Sequence, residues 1–181
     1  ATTYNVTAIT VAPGLTPAGT NAIVPFAAVA ANYLSADRFT NPTAVPLTVD
    51  YTVRAVSAAG CQGDAQVITI TIAPEPVVSA SLDLTQCSDI AIGLVLNTEV
   101  TSVGAASYNI TARNISAGLV ASGSNAVVTA NGVPANYLSA DQYTNTGAIP
   151  LAVTYTVVPV SAAGCVGDAR VITITINPEP V

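Results

Sequence analysis

Hydrophobic and polar residues alternate with a period of two along several stretches, the pattern of strands with one buried face. Leu47, Val49, Tyr51, Val53 and Ala55 fall on one side, and Thr48, Asp50, Thr52 and Arg54 on the other. In Val67–Ile72 the isoleucines take one face while Thr69 and Thr71 take the opposite one. The same alternation recurs from Leu151 to Pro159. Further strands are expected at Tyr4–Ile9, Ser79–Leu84, Ile90–Leu96 and Tyr108–Arg113. Only Asn32–Arg38 and Asn136–Gln142 suit a helical turn. The stretch from Ser57 to Asp64 holds Gly60 and Gly63. Glycine and Asp favour turns, so a hairpin with a longer loop is expected there.

These elements occur twice. Asn32-Tyr33-Leu34-Ser35-Ala36-Asp37 returns at 136–141, Ser57-Ala58-Ala59-Gly60-Cys61 at 161–165, and Val67–Ile72 at 171–176. The offset is constant, 165 − 61 = 104. Such a period is too long for a solenoid turn of about 20–50 residues. It matches a β-sandwich module of about 100 residues. Pro74-Glu75-Pro76 follows a strong strand, and proline can neither donate to a ladder nor bend freely. It is therefore read as a short, stiff joint at 74–76. The expected organisation is a partial first module at 1–76, whose opening strands (the counterpart of Val78–Gly104) are absent, and a complete second module at 77–181. The expected fold is all-β, in tandem immunoglobulin-like sandwich modules.

Composition agrees with strands. The hydrophobic share is 51%, carried mostly by Ala, Val and Ile, and the β-branched residues suit a pleated, half-buried surface. Charge is sparse, with four basic and ten acidic residues, no histidine and a net charge of −6. Nucleic-acid binding needs clustered cations, as does an anionic membrane surface. Neither partner is expected. No apolar run approaches the roughly 18 residues of a membrane span. Without histidine or lysine the commonest general base and amine nucleophile are missing. An enzyme is not expected.

The order Thr85-Gln86-Cys87-Ser88-Asp89, Tyr143-Thr144-Asn145-Thr146, Val153–Pro159, Gly164-Cys165-Val166-Gly167 and Ile172–Pro178 resembles the PKD-like repeats of giant Bacteroidota surface proteins. The resemblance is strongest to gliding-motility adhesins of the SprB type. It implies a β-sandwich, export to the cell surface, a very long parent chain and a role in adhesion, with no catalytic residues to carry over.

Two candidate sites stand beside this. Cys61 and Cys165 are repeat equivalents, so one disulfide per module, Cys87–Cys165, is anticipated, with Cys61 left unpaired. It would close 165 − 87 = 78 residues and stabilise by about 4 kcal/mol in the chain-entropy picture. Asp37, Asp64, Asp141 and Asp168 recur in both copies and are weak Ca²⁺ candidates, although turn capping is the preferred reading. No other cofactor is expected. The functional expectation is a structural repeat of an extracellular adhesin. Its partners would be neighbouring modules of the same chain and a surface polysaccharide or cell-surface protein. A glycan- or protein-binding module and a spacer in a secreted hydrolase are the alternatives.

Overall fold

The computed structural model describes residues 2–179; Ala1, Pro180 and Val181, and with them the end of the second Pro-Glu-Pro, lie outside the described residues. The chain divides into two units, Ala1–Pro74 and Glu75–Val181, with the division inside Pro74-Glu75-Pro76.

Unit 1 contains β1 (Thr3–Val11), β2 (Thr16–Pro17), β3 (Phe26–Val29), β4 (Phe39–Thr40), β5 (Leu47–Val56) and β6 (Gln62–Ile72). Four of them form an antiparallel sheet in the order β3-β1-β5-β6, and β2 pairs with β4 beside it. The alternation in β5 is realised at its centre, where Val49, Tyr51 and Val53 are buried with Val6, Leu15 and Val29 in a small core, while Leu47 is half-buried and Ala55 exposed.

Unit 2 contains β7 (Leu84–Cys87), β8 (Ala105–Ile115), β9 (Leu119–Ser122), β10 (Ala130–Val133), β11 (Gln142–Asn145), β12 (Leu151–Ser161) and β13 (Arg170–Asn177). The main sheet runs β10-β8-β12-β13-β7, and β9 pairs with β11 in the facing layer. From β8 onward each strand is the counterpart of one in unit 1. Even the bulges repeat, because the register slips at Thr7 in β1 and at Thr111 in β8. What unit 2 adds is β7, which pairs in parallel with the outer edge of β13.

The core of unit 2 is correspondingly larger. Val153, Tyr155, Val157, Ile172, Ile174 and Ile176 are fully buried beneath Ile92, Leu94 and Leu96. The fold is thus an all-β, immunoglobulin-like sandwich.

Several expected elements differ in detail. Ser79–Leu84 is a 3₁₀ turn over Ala80–Leu82 leading into β7 rather than a strand. Ile90–Leu96 is extended, with Ile92, Leu94 and Leu96 inward and Val95 outward, but it joins no ladder. Its amides bond instead to the connection ahead of β11: Ile92 donates to the Asp141 carbonyl at 2.9 Å, Gly93 to Ser139 at 2.9 Å and Leu96 to Ala135 at 2.8 Å. The residues taken as a helical turn form successive tight turns, with Ser139 donating to Asn136 and Asp141 to Leu138.

One pair of equivalent positions isolates a backbone cost. Ala28 has φ 57° and its counterpart Gly132 has φ 67°. Both donate their N–H to an asparagine Oδ1, of Asn5 at 2.8 Å and of Asn109 at 2.9 Å. Left-handed backbone costs an L-residue roughly 1–2 kcal/mol, and a Cβ on Gly132 would meet nothing within 4 Å. Ala28→Gly is therefore expected to stabilise unit 1 by about 1 kcal/mol, less the entropy glycine adds to the unfolded chain. Urea denaturation of the two chains measures this directly.

Candidate functional site

The cysteines do not pair as anticipated. All three thiols are free, and the strand register shows why. Cys87 ends β7 beside Asn177, while Leu151 stands opposite Ile176. Cys165 lies past the far end of β12, where its N–H bonds to the Ser161 hydroxyl. Ten strand residues at about 3.3 Å each separate the two levels, whereas a disulfide needs Cα atoms within about 7 Å. The two cysteines mark opposite ends of the unit. Cys61 occupies in unit 1 the same turn position that Cys165 occupies in unit 2, with the matching bond to Ser57.

The recurrent carboxylates divide into two kinds. Asp64 and Asp168 are exposed. Glu75 is held above the usual carboxylate range by its burial, with a smaller push from the charge of Asp168. Asp37 and Asp141 are instead structural hubs. Asp141 is 1% exposed, and its Oδ1 accepts the Ala126 N–H at 2.7 Å while its Oδ2 accepts the Tyr155 hydroxyl at 2.6 Å. Because Tyr155 gives its one proton to Asp141, the 2.6 Å contact between Tyr143 and Tyr155 has Tyr143 as donor. Arg113 completes the cluster, with Nη1 3.8 Å from Asp141 Oδ2 and 3.2 Å from the Ala126 carbonyl.

Asp37 makes the equivalent bonds, from Ala22 at 2.7 Å and Tyr51 at 2.6 Å. In place of Arg113 and Tyr143, unit 1 has Ile9 and Phe39. The period-two pattern does not single out Arg113, Tyr143 and Tyr155 as partners of Asp141. Arg113 and Tyr143 change together between the copies, while Tyr155 is kept as Tyr51, and that paired change is the signal that could have found them.

Asn41 and Asn145 are likewise committed. The Asn145 amide donates to the carbonyls of Ile149 and Ile176 at 2.9 and 2.8 Å, and Asn41 repeats this on Val45 and Ile72. Among the described residues no group of three or more Cys, Asp or Glu converges as a metal site would. At the exposed edge of unit 2, Asp89 accepts the hydroxyls of Thr144 and Ser122, at 2.6 and 3.0 Å. Its pKa is lowered chiefly by the Thr144 bond, while Glu179 is raised by its bond to Asp89.

Burial raises the pKa of Tyr155, with the bond to Asp141 adding to it, and burial likewise raises Tyr143 and Tyr108. An unfolded tyrosine ionises near pH 10. A folded pKa above that value gives stability that is complete below about pH 10 and is lost as pH rises further. Unit 2 is expected to weaken steeply above pH 10, and Tyr155→Phe to flatten that slope. Urea midpoints collected across the alkaline range check both.

A concavity of about 370 Å³ lies in unit 1. Its floor is Val49, Tyr51, Ile68 and Ile70, and its rim includes Ala31, Ser35, Asp37 and Phe39. Here the expected inward face of β6 is open: Ile68 and Ile70 are each 45% exposed, against 0% for Ile172 and Ile174. The cause is not the strand, since the two hexapeptides are identical. Unit 2 has the Val78–Gly104 segment over this face, and the described part of unit 1 has none.

No curated protein is similar enough to the chain to count as a match. The profile of the PKD-like domain matches residues 18–76 and again 84–180, which is most of the chain and both of its units. With two sandwiches of one pattern each matched by that profile, the chain belongs to the PKD-like domain family.

Proposed function

We propose that this chain is a structural repeat segment of a long bacterial surface adhesin, serving attachment or gliding motility. The observation that carries the reading is the division of labour between the copies. Positions that hold the sandwich together recur at the 104-residue offset: Tyr51 and Tyr155, Asp37 and Asp141, Asn41 and Asn145. Exposed positions drift, as with Thr16 against Val120 and Ile23 against Val127. A module repeated for its fold, with a variable exterior, is what an extended scaffold requires. PKD-like domains are a common extracellular structural and adhesive module and are generally non-catalytic. No helix among the described residues is long and apolar enough to cross a membrane.

In this reading the partners are neighbouring modules of the same chain, and beyond them a surface polysaccharide or cell-surface protein. A glycan-recognising module would present several exposed aromatic faces. Phe26 stacked on Tyr33 at 5.5 Å is such a pair, but the counterpart of Phe26 is Ala130, so the platform is not repeated.

The sequence of the parent gene tests the proposal. Many tandem copies, with deletion abolishing attachment or spreading on a surface, are expected; a catalytic domain in the same chain would replace the adhesin by a hydrolase spacer. The reading also requires no metal. Because Asp37 and Asp141 are already bonded within the fold and no group of three carboxylates gathers around the exposed Asp64 or Asp168 among the described residues, adding Ca²⁺ or a chelator is expected to leave the melting temperature unchanged.

A further inference from the structure

The open face of unit 1 has an occupied counterpart in unit 2, and comparing the two identifies what fits it. Val67–Ile72 and Val171–Ile176 are the same six residues. In unit 2 the outer edge of that strand carries β7 in parallel, with Leu84 opposite Ile174 and Cys87 opposite Asn177. In unit 1 β6 is the last strand of its sheet. An unpaired edge presents a row of free N–H and C=O groups ready for another strand.

The rim agrees with the edge. The carbonyls of Ala135, Ser139, Asp141 and Tyr143 receive the amides of Leu96, Gly93, Ile92 and Asp89. Their counterparts at the 104-residue offset are Ala31, Ser35, Asp37 and Phe39, and all four line the groove. The floor is also ready. Tyr51 is already tied to Asp37 at 2.6 Å, as Tyr155 is to Asp141, so the surface does not have to rearrange to be filled.

We propose that this groove is a docking site for a copy of the repeat's own opening segment, the Val78–Gly104 sequence. The segment adds a parallel strand along β6 and lays the alternate residues Ile92, Leu94 and Leu96 over Tyr51, Ile68 and Ile70. Recognition is strand addition: main-chain bonds along the edge supply much of the affinity, and pockets for alternate side chains supply specificity. The stretch Ile90–Leu96 carries no charge, matching a groove whose floor is apolar. This inference stands whether or not the parent protein is an adhesin.

The probe is a fluorescent peptide of Val78–Gly104 carrying Cys87→Ser, titrated into the whole chain, with hydrogen exchange followed strand by strand. Saturable one-to-one binding is expected, with slowed exchange at Val67–Ile72 and no change at Val171–Ile176. Leu94→Asp in the peptide is expected to weaken binding about tenfold or more, as is Ile70→Asp in a chain whose β1 and β5 remain protected. A chain with a second copy of the segment fused ahead of Ala1 should no longer bind the peptide and should show β6 protected. If Ile70→Asp unfolds unit 1, the peptide substitutions and the fusion decide. The proposal is overturned if folded chain does not bind the peptide, if Leu94→Asp binds equally well, or if the fusion leaves β6 unprotected. It is also overturned if the chain alone dimerises with β6 already protected, because the face would then belong to a second copy.

Discussion

Replacing Asp141 by alanine is expected to destabilise unit 2 by about 4 kcal/mol, in line with breaking a buried hydrogen-bonded charge cluster. The substitution leaves the Ala126 N–H and the Tyr155 hydroxyl without their acceptor, and removes the carboxylate facing Arg113. Water has no access at a site 1% exposed, so each orphaned group carries its desolvation penalty of about 1–3 kcal/mol. A domain of this size has only about 5–15 kcal/mol in total. Unit 2 would be left close to its unfolding threshold. Asp37→Ala removes the same two bonds in unit 1, but Asp37 is only partly buried and has Ile9 where the other copy has Arg113. Its cost is expected to be about half as large, because solvent can replace the lost acceptor. Tyr143→Phe, which copies Phe39, should fall between wild type and Asp141→Ala. Urea unfolding followed by strand-resolved hydrogen exchange separates the units and gives the ranking; equal costs for Asp37 and Asp141 would mean that burial is not what sets them.

The second large effect is a contrast between identical residues in identical hexapeptides. Ile174→Ala is expected to cost about 3 kcal/mol, the usual range for deleting a fully buried aliphatic side chain and leaving a cavity. Ile70→Ala is expected to cost less than about 1 kcal/mol, since a side chain already 45% exposed loses little burial and opens no enclosed void. Sequence propensity cannot produce this difference, because both isoleucines have Thr neighbours and both pair with a valine, Val49 or Val153. Filling the groove of unit 1 should raise the cost of Ile70→Ala toward that of Ile174→Ala. The same exchange experiment shows whether it does.

Much of the architecture was legible from alternation. The long strands β1, β5, β8, β12 and β13 have strong period-two patterns, and their inward residues in β5, β12 and β13 are the ones that are buried. Ile90–Leu96 was legible as an extended, one-face-buried stretch but not as a segment outside any ladder. Alternation reports which side chains turn inward; it does not report where the backbone finds its hydrogen bonds. The Cys87–Cys165 pairing failed for a related reason. Repeat spacing shows that two cysteines belong to one module, yet which end of the sandwich each occupies depends on the direction of β7 along β13. The recurrent aspartates were noticed as recurrent. Their use as acceptors for a buried tyrosine and a distant N–H required the turn that carries them to be folded over the sheet.

The two-copy organisation, the all-β class, the faces of the long strands and the lack of histidine and lysine can all be read along the chain. Each of these follows from local pattern or composition. The tertiary structure alone decided burial. Val67–Ile72 and Val171–Ile176 have the same residues and the same β-strand conformation, but one presents half-open isoleucines and the other closes them completely. The physical reason is that burial belongs to a surface and whatever covers it: Ile92, Leu94 and Leu96 exclude water from one face, and in the described part of unit 1 nothing equivalent stands over the other.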